Sequence, residues 1–282
     1  MKYHNPHSYS DIVTANKEYY CQEASSYDYK SRSNTAFRKY LVDQIKKILA
    51  KYPLDHPLSI VDVGTGTGFG ISCIKEALAE QNISGTSLSG CDISPHMLKE
   101  AQKNHPDVAF NLFDGRTLPY RKVDIILFIS MLHHCLDPFI LLSEAKRCLK
   151  RKGAILVAQE PNPTVNCILL FLRKLLFLYP KGITALAEYH QFITSGIKPD
   201  LILDFFLNYK CRIDYTNSSL EDEFCMKFGL KNKWITSLLN KVESKYTSLN
   251  YTLVVSKSEN PSSYSPPSPS RHPLNYMHSP MP

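Results

Sequence analysis

The sequence predicts an α/β fold, a parallel sheet wrapped on both faces by helices, and three observations predict it. Short β-branched runs alternate with amphipathic stretches of helix length from about residue 34 to residue 160. A glycine-dense segment, SIVDVGTGTGFGIS (Ser59 to Ser72), lies directly behind the first run, where a strand passes into a helix at the carboxyl edge of such a sheet. Acidic residues Asp62, Asp92 and Asp114 stand at the ends of the first three runs.

The elements follow in order. NTAFRKYLVDQIKKILAKY carries apolar residues at Phe37, Leu41, Ile45, Ile48 and Leu49, the spacing of one helical face. LSIVDV reads as a buried strand and GISCIKEALAEQ as the helix behind the glycine loop. TSLSGCDI is a second strand, and SPHMLKEAQKNH a helix with Ser94 as N-cap and Pro95 in its first turn. VAFNLFD and VDIILFIS are the third and fourth strands, PFILLSEAKRCLK a helix, and GAILVAQE a fifth strand. Beyond Glu160 the rhythm breaks into an apolar, helical insertion. KPDLILDFFLN then resumes a helix, and YKCRIDYT and SLNYTLVVSK are two more strands with a helical insert between them. The expected organisation is an N-terminal lid segment (1–33), a ligand-binding core (34–160), a helical cap insertion (161–197), the rest of the core sheet (198–257, with its insert at 217–248) and a Pro/Ser-rich tail (258–282) too poor in apolar residues to fold.

Composition narrows the function classes. The net charge of +7 is modest, and its densest cluster, Lys146, Arg147, Lys150, Arg151 and Lys152, is expected at a helix C-terminus, where it complements the dipole. No basic stripe interleaved with aromatics appears, which argues against a nucleic-acid partner. MKYHNPHSYS has no apolar segment of the kind a secretory signal needs. Eight scattered cysteines without a C-x-x-C pair argue against a disulfide framework or a zinc site, so the expected setting is reducing and cytoplasmic. CILLFLRKLLFLY (Cys167 to Tyr179) is too short and too charged to cross about 30 Å of hydrocarbon. It reads as a cap helix packed on the core, with a peripheral membrane contact through 167–179 as the alternative.

The glycine loop departs from the dinucleotide fingerprint G-x-G-x-x-G, because Phe69 stands where the third glycine belongs. The pattern is D-x-G-x-G-x-G, and Asp62 in front of it would repel a pyrophosphate but suits a cation. Asp92 can accept hydrogen bonds from both hydroxyls of an unphosphorylated ribose, and Asp114 from an adenine amino group. Singly, each acid also fits a cap or a turn. Together they line one crevice with acceptors for a positively charged adenosine.

From about Tyr27 to Lys257 the chain resembles the class I S-adenosylmethionine-dependent methyltransferases, in the broad small-molecule group called methyltransferase domain families 11 and 12. The residues carrying the resemblance are VDVGTGTGFG, GCDIS, NLFDGRTLPY and VDIILFISMLHHCLDP. The resemblance implies a Rossmann-like, doubly wound seven-stranded sheet with an antiparallel last strand. It also implies S-adenosyl-L-methionine as cofactor, with S-adenosyl-L-homocysteine as product. By carry-over, Asp62, Gly64, Gly66 and Gly68 border the methionine part of the cofactor. Asp92 with Ile93 holds the ribose, Asp114 with Gly115 flanks adenine, and Ile129 and Ser130 contribute backbone contacts. Tyr20, Tyr27 and Arg32 are lid candidates, and Tyr27 is counted among the cofactor-binding residues.

The implied reaction is in-line displacement at a sulfonium methyl, which needs alignment and desolvation worth about 7–11 kcal/mol rather than an obligatory catalytic side chain. A general base adds about two to four powers of ten where the acceptor must lose a proton. The candidates are His133 and His134, then Glu160, Tyr189 and His190; for His133 the alternative is a residue that shapes the cofactor pocket. No metal is expected, since His133, His134 and Cys135 are adjacent and point apart. The motif after the fourth strand is SMLHH rather than the N/D-P-P-Y/F type of adenine enzymes, and no Pro-Cys nucleophile is present. With an apolar cap insertion, the expected acceptor is a small, at least partly hydrophobic metabolite: lipid-like, isoprenoid or aromatic. The alternatives are a non-catalytic methyltransferase-like binding protein, a methyltransferase acting on protein or RNA, and a nicotinamide oxidoreductase, which Phe69 disfavours.

Overall fold

Side-chain alternation along the strands sets the architecture. Val61 and Val63 of the first strand, Ile126 and Phe128 of the fourth, and Ile155 and Val157 of the fifth enter one core cluster. Their neighbours Ile60, Ile125, Leu127, Ala154 and Leu156 enter another. A strand buried on both faces is apolar throughout, which is why these runs read as unbroken hydrophobic stretches. The computed structural model describes residues 8–32, 35–53, 57–175, 187, 189, 196–216, 248 and 250–257.

Strands β1 (Ser59–Val63), β2 (Ser87–Asp92), β3 (Ala109–Leu112), β4 (Val123–Ile129), β5 (Leu149–Pro161), β6 (Tyr209–Thr216) and β7 (Asn250–Lys257) form one seven-stranded sheet, ordered β3-β2-β1-β4-β5-β7-β6. Strands β1 to β5 run parallel, and β7 is antiparallel to both β5 and β6. The Rossmann-like sheet with an antiparallel last strand is therefore present. The order turns back between β1 and β4, and at such a switch point the carboxyl ends of the strands leave a crevice for ligands.

The helices are α1 (Tyr9–Arg32), α2 (Thr35–Leu49), α3 (Phe69–Glu80), α4 (Pro95–Asn104), α5 (Pro138–Cys148), α6 (Pro163–Leu175) and α7 (Pro199–Phe205), with a 3-10 turn at Leu132–His134. The predicted stripe Phe37, Leu41, Ile45, Ile48 and Leu49 of α2 is wholly buried against one sheet face. Ser94 caps α4 by accepting from Met97 N–H, with Pro95 in the first turn as expected.

Two expectations need correction. Lys150, Arg151 and Lys152 do not extend a helix: α5 ends at Cys148, and the three lie on β5, where Lys150 pairs with Asp124 at 2.8 Å. Helix α6 is only half packed, for Leu170 and Asn166 are buried whereas Ile168, Phe171 and Leu175 stand exposed. No helix among the described residues is long and apolar enough to cross a membrane. Residues 176–179, the insert at 217–247 and the tail at 258–282 lie outside the described residues.

Gly70 marks where α3 presses on β1. A Cβ there would collide with Asp62 Oδ2 and come within 2.7 Å of Ile129 Cδ1. Gly to Ala inside a helix normally stabilises by about 1 kcal/mol. At this site we expect Gly70→Ala to destabilise by about 1–3 kcal/mol in urea unfolding, the cost of overpacking; a gain in stability would contradict the packing.

Candidate functional site

The crevice begins with the loop after β1. Gly64 N–H and Thr65 N–H both donate to Cys91 O, at 2.8 and 3.0 Å, which stitches the loop onto β2. Gly64 (φ +71°) and Gly66 (φ +54°) adopt left-handed backbone, open to glycine without strain. A side chain on Gly64 would also strike Met131. Gly68 lies deeper, at the N-cap of α3 against the His105 ring.

Three acids meet this loop in different ways. Asp62 is buried, with Oδ2 accepting from the Thr65 hydroxyl at 2.8 Å and Oδ1 without a hydrogen-bond partner. Burial pushes its carboxyl up to about 7, the Thr65 hydrogen bond opposes this, and the neighbouring Asp92 charge adds to it. Asp92 accepts from Gly66 N–H and Ser94 N–H, both at 2.9 Å, and so joins the glycine loop to the start of α4. Burial raises its pKa as well, against the backbone N–H donors. Asp114 is exposed, and its Oδ1 accepts from Arg116 and Thr117 N–H at 2.8 and 2.7 Å. Its slight burial acts upward on the pKa, but these N–H groups outweigh it and hold the carboxyl below its ordinary value.

The strand ends and α1 enclose a cleft open to solvent. Gly64, Gly66, Asp92, Ile93, Gly115, Ile129 and Ser130 line it. Asp62 lies behind the loop, and Asp114 turns its carboxylate onto its own turn while Phe113 and Gly115 face the cleft. The side chains of Tyr27 and Arg32 and the whole of His190 lie outside the described residues.

Helix α1 supplies the residues that sequence reading missed. Tyr9, Ile12, Val13 and Asn16 line the cleft beside Tyr20. Tyr9 donates to Asp114 O at 3.0 Å and lies under the Arg116 guanidinium, 3.8 Å from its ring centroid. Asn16 Nδ2 donates to His134 O at 3.2 Å. The signal was the helical spacing of Ile12, Asn16 and Tyr20, diluted in a polar, tyrosine-rich segment.

The expected bases separate in the structure. Glu160 is fully buried: Oε1 accepts from Met131 and Leu132 N–H at 3.0 and 2.9 Å, and Oε2 from His133 N–H at 3.0 Å. His133 Nδ1 is 2.9 Å from the same oxygen, with its ring buried. Burial acts to raise the Glu160 pKa, but the His133 charge and the N–H donors prevail and lower it. Neither residue lines the cleft, which corrects the expectation that either serves as a base: a base must reach the proton it removes. Tyr189 is half-buried and does not line the cleft either. His134, one residue after His133, does.

These features define an α/β domain whose glycine loop is set among acids at the carboxyl edge of the sheet. The residues fit S-adenosylmethionine on three counts: a buried carboxylate with an unpartnered oxygen, a second acid at the cleft wall, and a loop that a Cβ would fill. Residues 61–157 match the model of a family described as methyltransferase domain. The chain is 29% identical over 150 residues to the demethylmenaquinone methyltransferase of Thermotoga maritima, a match covering 51% of this chain and 60% of that one. It is 31% identical over 118 residues to the trans-aconitate 2-methyltransferase of an Azoarcus species, covering 42% and 44%. The chain thus spans about half the length of these curated relatives. Among solved structures, the plantazolicin methyltransferase BpumL in complex with S-adenosylhomocysteine superposes with a TM-score of 0.52 at 15% identity, covering 88% of this chain and 97% of that one, a likeness of fold.

Two predictions test this geometry. Because the Asp62 carboxyl holds its proton up to about pH 7 when folded, against an ordinary value of 3.8 for the unfolded chain, its stabilising contribution is complete below about pH 4 and is lost as pH rises through 7. Asp62→Asn should gain on the wild type as pH rises from about 4 to about 7, by up to the order of 4 kcal/mol in urea titrations; a pH-independent difference would show ordinary ionisation. Glu160→Gln places an amide N–H against backbone donors and should cost about 3–5 kcal/mol of stability, measured by chemical unfolding. A loss below about 1 kcal/mol, the scale of an ordinary surface pair, would refute the anchoring role.

Proposed function

We propose that this protein transfers the methyl group of S-adenosylmethionine to a small, partly hydrophobic acceptor. The observation that carries the reading is Asp92, an acid at the cleft wall with each oxygen already anchored by one backbone N–H. A carboxylate oxygen has a second lone-pair site in such an arrangement, so Asp92 suits a vicinal diol, as in a ribose. Gly64 and Gly66 leave room for the chain of the amino acid moiety. A cation beside Asp92, with Asp62 behind the loop, would favour the ionised form of both carboxyls, which suits a positively charged ligand. The bound cofactor would supply an activated methyl on a sulfonium leaving group. The protein's part is to orient it, exclude water and hold the acceptor in line.

The acceptor reading is supported by the apolar lining from Ile12, Val13, Met97, Leu136 and Leu141. The names of the two curated relatives describe methylation of small molecules, whereas the structural neighbour is named for plantazolicin.

Calorimetric titration with S-adenosylmethionine and with NAD tests the cofactor. We expect binding of the former only. Asp92→Ala should weaken it by about 1.5–3 kcal/mol, the scale of hydrogen bonds to a charged group, or roughly 10- to 150-fold in Kd. An unchanged affinity refutes the ribose role. Turnover of methyl-labelled cofactor on a metabolite extract tests the reaction.

A further inference from the structure

We propose that Asn104 and His105 are positioning residues for the cofactor: from the end of α4 they grip the back of the glycine loop and keep it in its binding form before any ligand enters. The inference rests on reading the cleft as a methyl-transfer site, and it adds two residues that stand outside the cleft lining.

Asn104 closes α4 and His105 follows as its C-cap, with His105 N–H donating to Ala101 O at 2.9 Å. The chain leaves the helix there, and both side chains reach the loop that joins β1 to α3. Asn104 Nδ2 donates to Thr67 O at 3.0 Å. His105 Nε2 lies 3.0 Å from Gly68 O. A carbonyl only accepts, so this ring nitrogen carries a proton and donates it. Two successive carbonyls of the loop are thus held by two successive side chains of one helix end. His105 is buried, and its ring occupies the space that a side chain on Gly68 would need.

The front of the loop is fixed separately. Gly64 and Thr65 N–H donate to Cys91 O, and Gly66 N–H donates to Asp92, whose other oxygen accepts from Ser94 N–H at the head of α4. Helix α4, ten residues in length and so about 15 Å long, therefore meets the loop at two points: through Asp92 at its start and through Asn104 and His105 at its end.

The loop needs such a grip because of its composition. Gly64, Gly66 and Gly68 all take left-handed backbone, at φ +71°, +54° and +95°. Glycine reaches that region without strain, but it reaches many others as readily. A ligand that binds one form of a segment loses affinity in proportion to the time the segment spends elsewhere. Hydrogen bonds to Thr67 O and Gly68 O, made on the side away from the cleft, raise the share of the binding form without occupying any of the ligand's space.

The test starts with the full wild-type chain and S-adenosylhomocysteine in a calorimeter. Absence of binding refutes the methyl-transfer reading itself, separately from this proposal. With binding established, Asn104→Ala and His105→Phe should each weaken it by about 3- to 10-fold, the size of one lost hydrogen bond. His105→Gln, whose amide still offers an N–H donor, should stay close to the wild type. Lys103→Ala, on the same turn but paired with Glu100 at the surface, should leave the affinity unchanged. Amide hydrogen exchange separates positioning from general loosening. In the unliganded Asn104→Ala and His105→Phe proteins the segment 64–68 should exchange faster by the factor lost in affinity, with the sheet strands unchanged, and S-adenosylhomocysteine should restore wild-type protection. Should His105→Phe fail to fold, Asn104→Ala carries the same readings. Unchanged affinity in Asn104→Ala, an equal loss in Lys103→Ala or His105→Gln, or faster exchange spread evenly over the sheet would overturn the proposal.

Discussion

The site depends on one buried carboxylate. Glu160, near the end of β5, accepts from three successive backbone N–H groups, Met131 to His133, and from the His133 ring. Successive N–H groups aimed at one point make a concavity for an anion, and here the anion belongs to the neighbouring strand. This grip follows directly on Ser130, a non-glycine residue in left-handed backbone at φ +51°, and holds the chain in its sharp turn away from β4. Met131, His134, Cys135 and Leu136 all face the cleft from that turn. Without the carboxylate the three N–H groups would lose their acceptor inside the protein.

The acids of the chain divide by how their charge is balanced. Glu160 gathers three backbone N–H groups and the His133 ring, and is held ionised at full burial. Asp92 draws on backbone N–H groups alone and Asp62 on one hydroxyl, and burial moves both toward the protonated form. Burial thus disfavours the charged form of these two carboxyls, and a cation beside them would favour it. That asymmetry separates the carboxylate that builds the turn from the two beside the glycine loop, although all three look alike as letters.

Much of this was legible in the sequence because strand alternation and the glycine loop are local signals. Ile60 to Val63, the Ser94 cap and the D-x-G-x-G-x-G pattern need no knowledge of distant residues. The roles of His133 and Glu160 were not legible, since they come from a contact across two strands that no spacing within one element encodes. Residues 1–33 read as a lid segment, but Tyr9, Ile12, Val13 and Asn16 of α1 do not stand out in it, because the apolar face of the helix is narrow and covers the cleft rather than filling a core. Gly70 is a third case, for its lack of a side chain answers the carboxyl of Asp62 rather than any turn.

The position of β7 has a consequence for biosynthesis. It enters the sheet between β5 and β6, with Asn250 opposite both Pro161 and Thr216. Until residues 250–257 leave the ribosome, β5 keeps an open hydrogen-bonding edge, and buried positions such as Leu156 and Val157 have no neighbour on that side. Long-range pairing of this kind is slow, and unpaired edges invite association between chains. The nascent polypeptide therefore passes through an interval in which its central strands are made but the strand that closes the edge of β5 is still unsynthesised.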